Sequence, residues 1–294
     1  MKMALIKEGK IMNLKMKKII LTWFLSVFLV FSVTAGAYAY SKILAVGDSL
    51  SDNGYYQGYL GGTAGNTNPA DIYGFRRYSN GPVWVEYLAQ DLGVPLFDMA
   101  YGGATTSLDN PAAFSATANS DYLTTTGLQW QVATYQSIYG TIDSNTLVTV
   151  WAGGNDMFNA RNPLTAADNI ALAIQNLIAL GGDSFLITNL NITNAWIVAF
   201  DPALHFEIDA LRLANPGVNL YELDMNAFVP TGIDFYTGTY LAQTYGSGVY
   251  AWWDTVGVHP TTQVHEQIAA YASTRVPEPT TMLLLCLGLP TSTP

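Results

Sequence analysis

The chain has a single cysteine, Cys286, and only three histidines among its 294 residues. One cysteine excludes an intramolecular disulfide scaffold. It also leaves residues 40–275 without a thiol, so their stability is independent of redox compartment. Charge is scarce, at 12% of residues, and the basic share is the smaller, with 12 Lys+Arg against 22 Asp+Glu and a net charge of −10. Such a balance argues against nucleic acid as a partner. No fixed-period repeat and no cluster with metal-ligand spacing is present. What the chain has is apolar: 50% hydrophobic and 13% aromatic residues. That excludes a disordered chain. At this length one large domain or two small ones can bury a full core.

The basic residues are gathered at one end. Residues 1–39 hold six lysines and one acid, Glu8, which leaves 21 of the 22 acids beyond Ala39. Ile19 to Val33 is an almost unbroken apolar run, and it leads to Ala37-Tyr38-Ala39. A basic stretch, an apolar stretch and a small-x-small site describe a secretory signal peptide, with cleavage expected after Ala39. An uncleaved anchor is the other reading, although the run is short of the ~20 residues a span needs. At the other end, Val276-Pro277-Glu278-Pro279 precedes the apolar run Met282–Leu289. The plain reading is a frayed tail. The expected organisation is therefore a signal peptide over 1–39, a domain over 40–275 and a separate tail over 276–294, in a protein exported to the cell surface, the periplasm or the medium.

Between these ends, strand and helix patterns alternate. Lys42–Val46, Pro95–Met99, Leu147–Trp151, Phe185–Leu190 and Val218–Leu223 are short apolar or β-branched runs that read as strands. Gly81-Pro82 through Gln90, Leu128–Tyr139, Leu164–Leu180 and Thr261–Thr274 read as helices, with Pro82 suited to a first turn and Gly181-Gly182 as a stop. Alternation of this kind predicts an α/β fold with a parallel sheet covered on both faces. In such sheets ligands bind at the carboxyl ends of strands.

The chemistry-bearing residue types fall there. Gly47-Asp48-Ser49-Leu50-Ser51 follows the first strand and puts Ser49 at the sheet edge. A serine needs a base to become a nucleophile. Gly102-Gly103-Ala104-Thr105 follows the second strand, and glycine lets a backbone N–H approach a reacting atom. Gly153-Gly154-Asn155-Asp156 follows the third, and the Asn155 amide can donate to a developing oxyanion. Each of the two Gly-Gly segments also reads as an ordinary turn. Of the histidines, His205 reads as a surface residue and His265 as a structural residue of the last helix. His259 lies in the loop before that helix, where it can project. A histidine base needs an acid to orient it, and Asp254 is the nearest in sequence.

Taken together, these four segments resemble the GDSL esterase/lipase family, the SGNH hydrolases, over about residues 43–274. The family's four letters map onto Ser49, Gly103, Asn155 and His259. The resemblance implies a three-layer α/β/α sandwich with a mostly parallel five-stranded sheet, a flavodoxin-like arrangement. It implies Ser49 as nucleophile, His259 as base and Asp254 as its orienting acid. The oxyanion hole would be the Ser49 N–H, the Gly103 N–H and the Asn155 side chain, with no cofactor. Two positions depart from the pattern. Asp98 stands where the family has a strand-end Asn five residues before the glycine. The family's Asp-x-x-His is stretched here, with Val256 three residues before His259 and Asp254 five before it. A bulge at Gly257-Val258 would restore the triad; without it, Ser49 and His259 would act as a dyad. The tail in turn resembles a PEP-CTERM sorting signal in its VPEP start, but it ends PTSTP without the family's arginines.

The expected substrate is a small-molecule or lipid carboxylic ester. Tyr55, Tyr56, Tyr59, Tyr73, Phe75 and Tyr78 suit an acyl chain or a sugar ring, or pack on one another. Arg76 and Arg77 suit an anionic headgroup, or are surface charges. The acidity of the chain favours soluble esters over anionic lipid surfaces. Deacetylation of an exported polysaccharide and a non-catalytic matrix protein are the alternatives. Export and sorting machinery are the expected partners at the termini, and the sequence sets no oligomeric state.

Overall fold

The structure, a computed structural model, describes residues 40–54, 77–79, 81–111, 125–191, 194–231, 238–240, 243–245 and 259–276. Several expectations lie outside these residues: the signal peptide, the tail from Pro277, Cys286, Asp254 and the Gly257-Val258 bulge. The aromatic loop is also outside them, apart from Arg77 and Tyr78.

Five strands form one sheet: β1 (Lys42–Gly47), β2 (Leu96–Asp98), β3 (Thr146–Trp151), β4 (Ser184–Thr188) and β5 (Asn219–Leu223). Their order is β2-β1-β3-β4-β5, and all four pairings are parallel. Every residue of β3 is buried, as is all of β1 after Lys42, as expected for central strands covered on both faces. The helices are α1 (Trp84–Leu92), α2 (Leu128–Tyr139), α3 (Gly154–Phe158), α4 (Pro163–Ala179), α5 (Ala195–Ala214) and α6 (Thr262–Ser273). α1 packs on α6, and α4 packs on α2 and α5. Right-handed crossovers explain this grouping. The chain steps from β1 to β2 in one direction and from β2 back past β1 to β3 in the other, so α1 and α2 fall on opposite faces. The result is the expected three-layer α/β/α sandwich. The direction reverses at β1, which puts the topological switch point between β1 and β3.

Local differences from the sequence reading have physical causes. α1 begins after an N-cap at Val83, so Pro82 precedes the helix instead of opening it. The Glu86 carboxylate accepts the Val83 N–H at 2.9 Å, which fastens that helix start. Most of α5 went unread. Pro202 lies inside it and Val198, Phe206 and Leu213 are exposed, which blurs the one-sided apolar pattern. An antiparallel ribbon of β6 (Gly238–Tyr240) and β7 (Gln243–Tyr245) was also unread. No helix among the described residues is long and apolar enough to cross a membrane.

Candidate active site

β1 ends at Gly47 with φ +149°, and a Cβ there would lie 2.1 Å from the Trp151 carbonyl oxygen. Only glycine fits between the ends of β1 and β3. Gln131 of α2 closes this strand end. Its side chain accepts the Gly47 N–H at 2.8 Å and donates to the Gly47 carbonyl at 2.7 Å, and it is fully buried. The next turn is pinned by Asp48, whose carboxylate accepts the Leu50 N–H at 3.1 Å and whose carbonyl accepts the Ser51 and Asp52 N–H groups. Ser49 therefore sits on a fixed turn, 6% exposed.

His259 comes from the far end of the chain, just before α6. Its Nε2 lies 2.8 Å from Ser49 Oγ. Behind it, His265 is fully buried, and its Nδ1 accepts the Trp84 N–H at 3.2 Å. Burial, with the nearby His259 adding, pushes the His265 imidazole down to about 3. That makes it a neutral structural histidine, as the sequence suggested. His205 is exposed, also as expected, and pairs with Glu222 at 2.9 Å.

The loop after β2 and the start of α3 complete the edge. The Gly102 N–H donates to Asp52 Oδ2 at 2.8 Å, and the Gly102 carbonyl accepts from Asn110 Nδ2 at 2.8 Å. Among the described residues the N–H groups of Ser49 and Gly103 have no hydrogen-bond partner. Asn155, in the first turn of α3, donates one amide hydrogen to the Ala104 carbonyl at 2.9 Å, which ties it to the glycine loop. Its neighbour Asp156 accepts from the Thr106 N–H at 2.8 Å and from the Thr106 hydroxyl at 2.9 Å.

Four buried aspartates thus underlie the edge: Asp48, Asp52, Asp98 and Asp156, each no more than 2% exposed. Burial, reinforced by the charges of Asp156 and Asp52, pushes the Asp48 carboxyl up to about 7. Burial raises Asp98 well above the usual carboxylate range, with Asp52 adding, against N–H donors from Asn53 and Ala100 at 2.9 Å each. Burial raises Asp156 too. Asp156 belongs to the Gly153–Asp156 segment and Asp52 directly follows Gly47–Ser51, but their partners are set by strand order. Gln131 and Asn110 carried no sequence signal, being single amides in unremarkable surroundings.

Arg77 does not offer a free charge to a headgroup. Its Nε donates to Glu86 Oε2 at 2.6 Å and its Nη2 pairs with the other carboxylate oxygen. The fold also brings His205, Asp209 and Glu222 within reach of one another, a grouping with metal-ligand types. Arg212 neutralises both acids at 2.7 Å each, so the group reads as a surface ion-pair network.

Residues 43–272 match the family described as GDSL-like Lipase/Acylhydrolase, and the chain belongs to that family. Three curated relatives are similar to parts of it. The thermolabile hemolysin of Vibrio parahaemolyticus serotype O3:K6 (strain RIMD 2210633) is 30% identical over 204 residues, 67% of this chain and 43% of that protein. The phosphatidylcholine-sterol acyltransferase of Aeromonas hydrophila is 28% identical over 158 residues, 52% of this chain and 45% of that one. The acetylesterase of Hypocrea jecorina is 26% identical over 169 residues, 52% of this chain and 48% of that one. The aligned part thus spans less than half the length of each relative.

Proposed function

We propose that this SGNH-type hydrolase cleaves carboxylic esters through an acyl-enzyme on Ser49. The observation that carries the reading is the 2.8 Å contact between His259 Nε2 and Ser49 Oγ, beside the Ser49 and Gly103 N–H groups, which have no partner among the described residues. In this reading Ser49 Oγ attacks the ester carbonyl carbon, and its proton passes to His259 Nε2. The tetrahedral oxyanion is met by the N–H groups of Ser49 and Gly103 and by the Asn155 amide. The alcohol leaves with the proton held by His259. Water then attacks the acyl carbon, gives a proton to His259, and the acid leaves as Ser49 recovers its proton. Gly103 suits the oxyanion role better than Gly102, because the Gly102 N–H is already held by Asp52. Asp254 is assigned to orient His259.

The relatives' names support ester chemistry: one is an acetylesterase and another an acyltransferase. For this chain, soluble or lipid esters are the proposed substrates, with 1–39 as signal peptide, 40–275 as catalytic domain and export as the destination. The test is hydrolysis of p-nitrophenyl acetate, butyrate and palmitate by wild type and Ser49→Ala, with fluorophosphonate labelling alongside. Loss of both signals in the variant supports the reading, and the chain-length profile separates esterase from lipase. A folded wild type that neither hydrolyses nor labels sinks it.

A further inference from the structure

We propose that Tyr78 and Ser79 are positioning residues that hold the His259 imidazole on Ser49. The inference rests on His259 being the base. The Tyr78 ring packs against the His259 ring, with centroids 5.0 Å apart and planes tilted by 32°. That is within the range of attractive ring pairs. Tyr78 is itself 7% exposed. The ring also lies against Gly102, where a Cβ would sit 2.1 Å from it. The ring is therefore backed by the main chain of the glycine loop and cannot recede. An imidazole that swung away from Ser49 on that side would have to displace it.

Ser79 acts on the backbone of the same element. It is fully buried, and its hydroxyl donates to the Pro260 carbonyl at 2.9 Å, across 181 residues of sequence. Two residues further, Thr262 Oγ1 donates to the Pro82 carbonyl at 2.9 Å and shares a hydrogen bond with the Tyr87 hydroxyl at 2.8 Å. The segment is anchored in turn, because Arg77 pairs with Glu86, which caps α1. α1 packs on α6, the helix that His259 precedes. His259 is thus held at its ring face by Tyr78, and the carbonyl of the next residue, Pro260, is held by Ser79. Both supports come from a segment that touches neither the ester carbonyl nor the leaving group in the proposed mechanism. A base needs hydrogen-bond reach to its proton, and a displacement of about 1 Å costs on the order of 10²-fold in rate.

The test uses the full chain as wild type, Tyr78→Ala, Tyr78→Phe and Ser79→Ala, with a soluble p-nitrophenyl ester. Tyr78→Ala is expected to lower kcat about 10–100-fold at nearly unchanged KM, with fluorophosphonate labelling slowed in parallel. Tyr78→Phe keeps the ring and is expected to recover most of that loss. The His259 Cε1–H proton resonance, assigned with His259→Gln, should shift between wild type and Tyr78→Ala as the ring current is lost, and return in Tyr78→Phe. A Tyr78→Ala enzyme with wild-type kcat overturns the proposal. So does a Tyr78→Phe enzyme as slow as Tyr78→Ala, because the ring is then not the support. If Tyr78→Ala fails to fold, Ser79→Ala decides: a fall in kcat at constant KM supports the proposal, and an unchanged kcat overturns it. An inactive, unlabelled wild type is a different failure. It removes the hydrolase reading and this inference with it.

Discussion

His259 Nε2 and Ser49 Oγ lie 2.8 Å apart although 210 residues separate them in sequence. β1 delivers the serine on a turn locked by Asp48, and the loop before α6 delivers the histidine beneath Tyr78. If the pair acts as one unit, its members are not additive. Ser49→Ala, His259→Ala and the double variant should each lose at least ~10⁴-fold in kcat, with little further loss in the double. Steady-state kinetics on a p-nitrophenyl ester reads this, and a double variant far slower than either single would argue for independent roles.

In the proposed mechanism Asn155 offers one amide hydrogen to the oxyanion, while the Ala104 carbonyl holds the other. Asn155→Ala should lower kcat by ~10²–10³-fold with KM little changed, because the lost contact strengthens only in the transition state. A change confined to KM would place Asn155 in substrate binding instead.

Gln131 satisfies both the N–H and the carbonyl of Gly47 inside the core. The carbonyl also accepts the Tyr101 N–H at 3.1 Å, so Gln131→Ala strands the Gly47 N–H without water, at a cost of about 1–3 kcal/mol. A clear fall in the denaturation midpoint is expected, and the urea midpoint measures it. An unchanged midpoint would mean that water or the chain refills the gap.

Stability should vary with pH in opposed directions from two buried groups. Asp48 titrates at about 7 in the folded chain against about 4 unfolded. The folded state therefore holds its proton longer, and this group's contribution falls as pH rises from about 4 to about 7. His265 titrates at about 3 folded against about 6.5 unfolded, so its contribution rises over about pH 3 to 6.5. Asp98 and Asp156, also raised, share the sign of Asp48. Asp48→Asn keeps an acceptor for the Leu50 N–H and removes the titration. The midpoint of Asp48→Asn relative to wild type should therefore climb between pH 4 and 7. Parallel curves would show that Asp48 does not titrate there.

How much of this was visible beforehand follows from the range of the interactions. Periodicity and glycine stops located all five sheet strands and the helices α1, α2, α4 and α6 to within a few residues, because those signals are local. α5 was obscured by Pro202 and by apolar residues on its solvent side. The motif letters single out Ser49, Gly103, Asn155 and His259; the structure brings His259 Nε2 to Ser49 Oγ and ties Asn155 to the Ala104 carbonyl, next to Gly103. Asp254 lies outside the described residues. The choice of Gly103 over Gly102 rested on spacing alone. The hydrogen bond from the Gly102 N–H to Asp52 supplies a physical reason for it.

The sequence by itself determined the alternation of strands and helices, the buried central strands and the residue types available at strand ends. These depend on side-chain size, branching and polarity along a few consecutive residues. Only the tertiary structure decided which groups meet. Tyr78 belongs to a loop whose aromatics suit a substrate or pack on one another, and tertiary packing sets it against His259 and Gly102. Arg77, which suits either a headgroup or a surface charge by sequence, pairs with Glu86. Asp52 and Gln131 became supports of the edge because the strand order β2-β1-β3 sets the ends of three strands side by side. Contacts between distant segments are fixed by strand order and helix packing, which no short window of sequence contains.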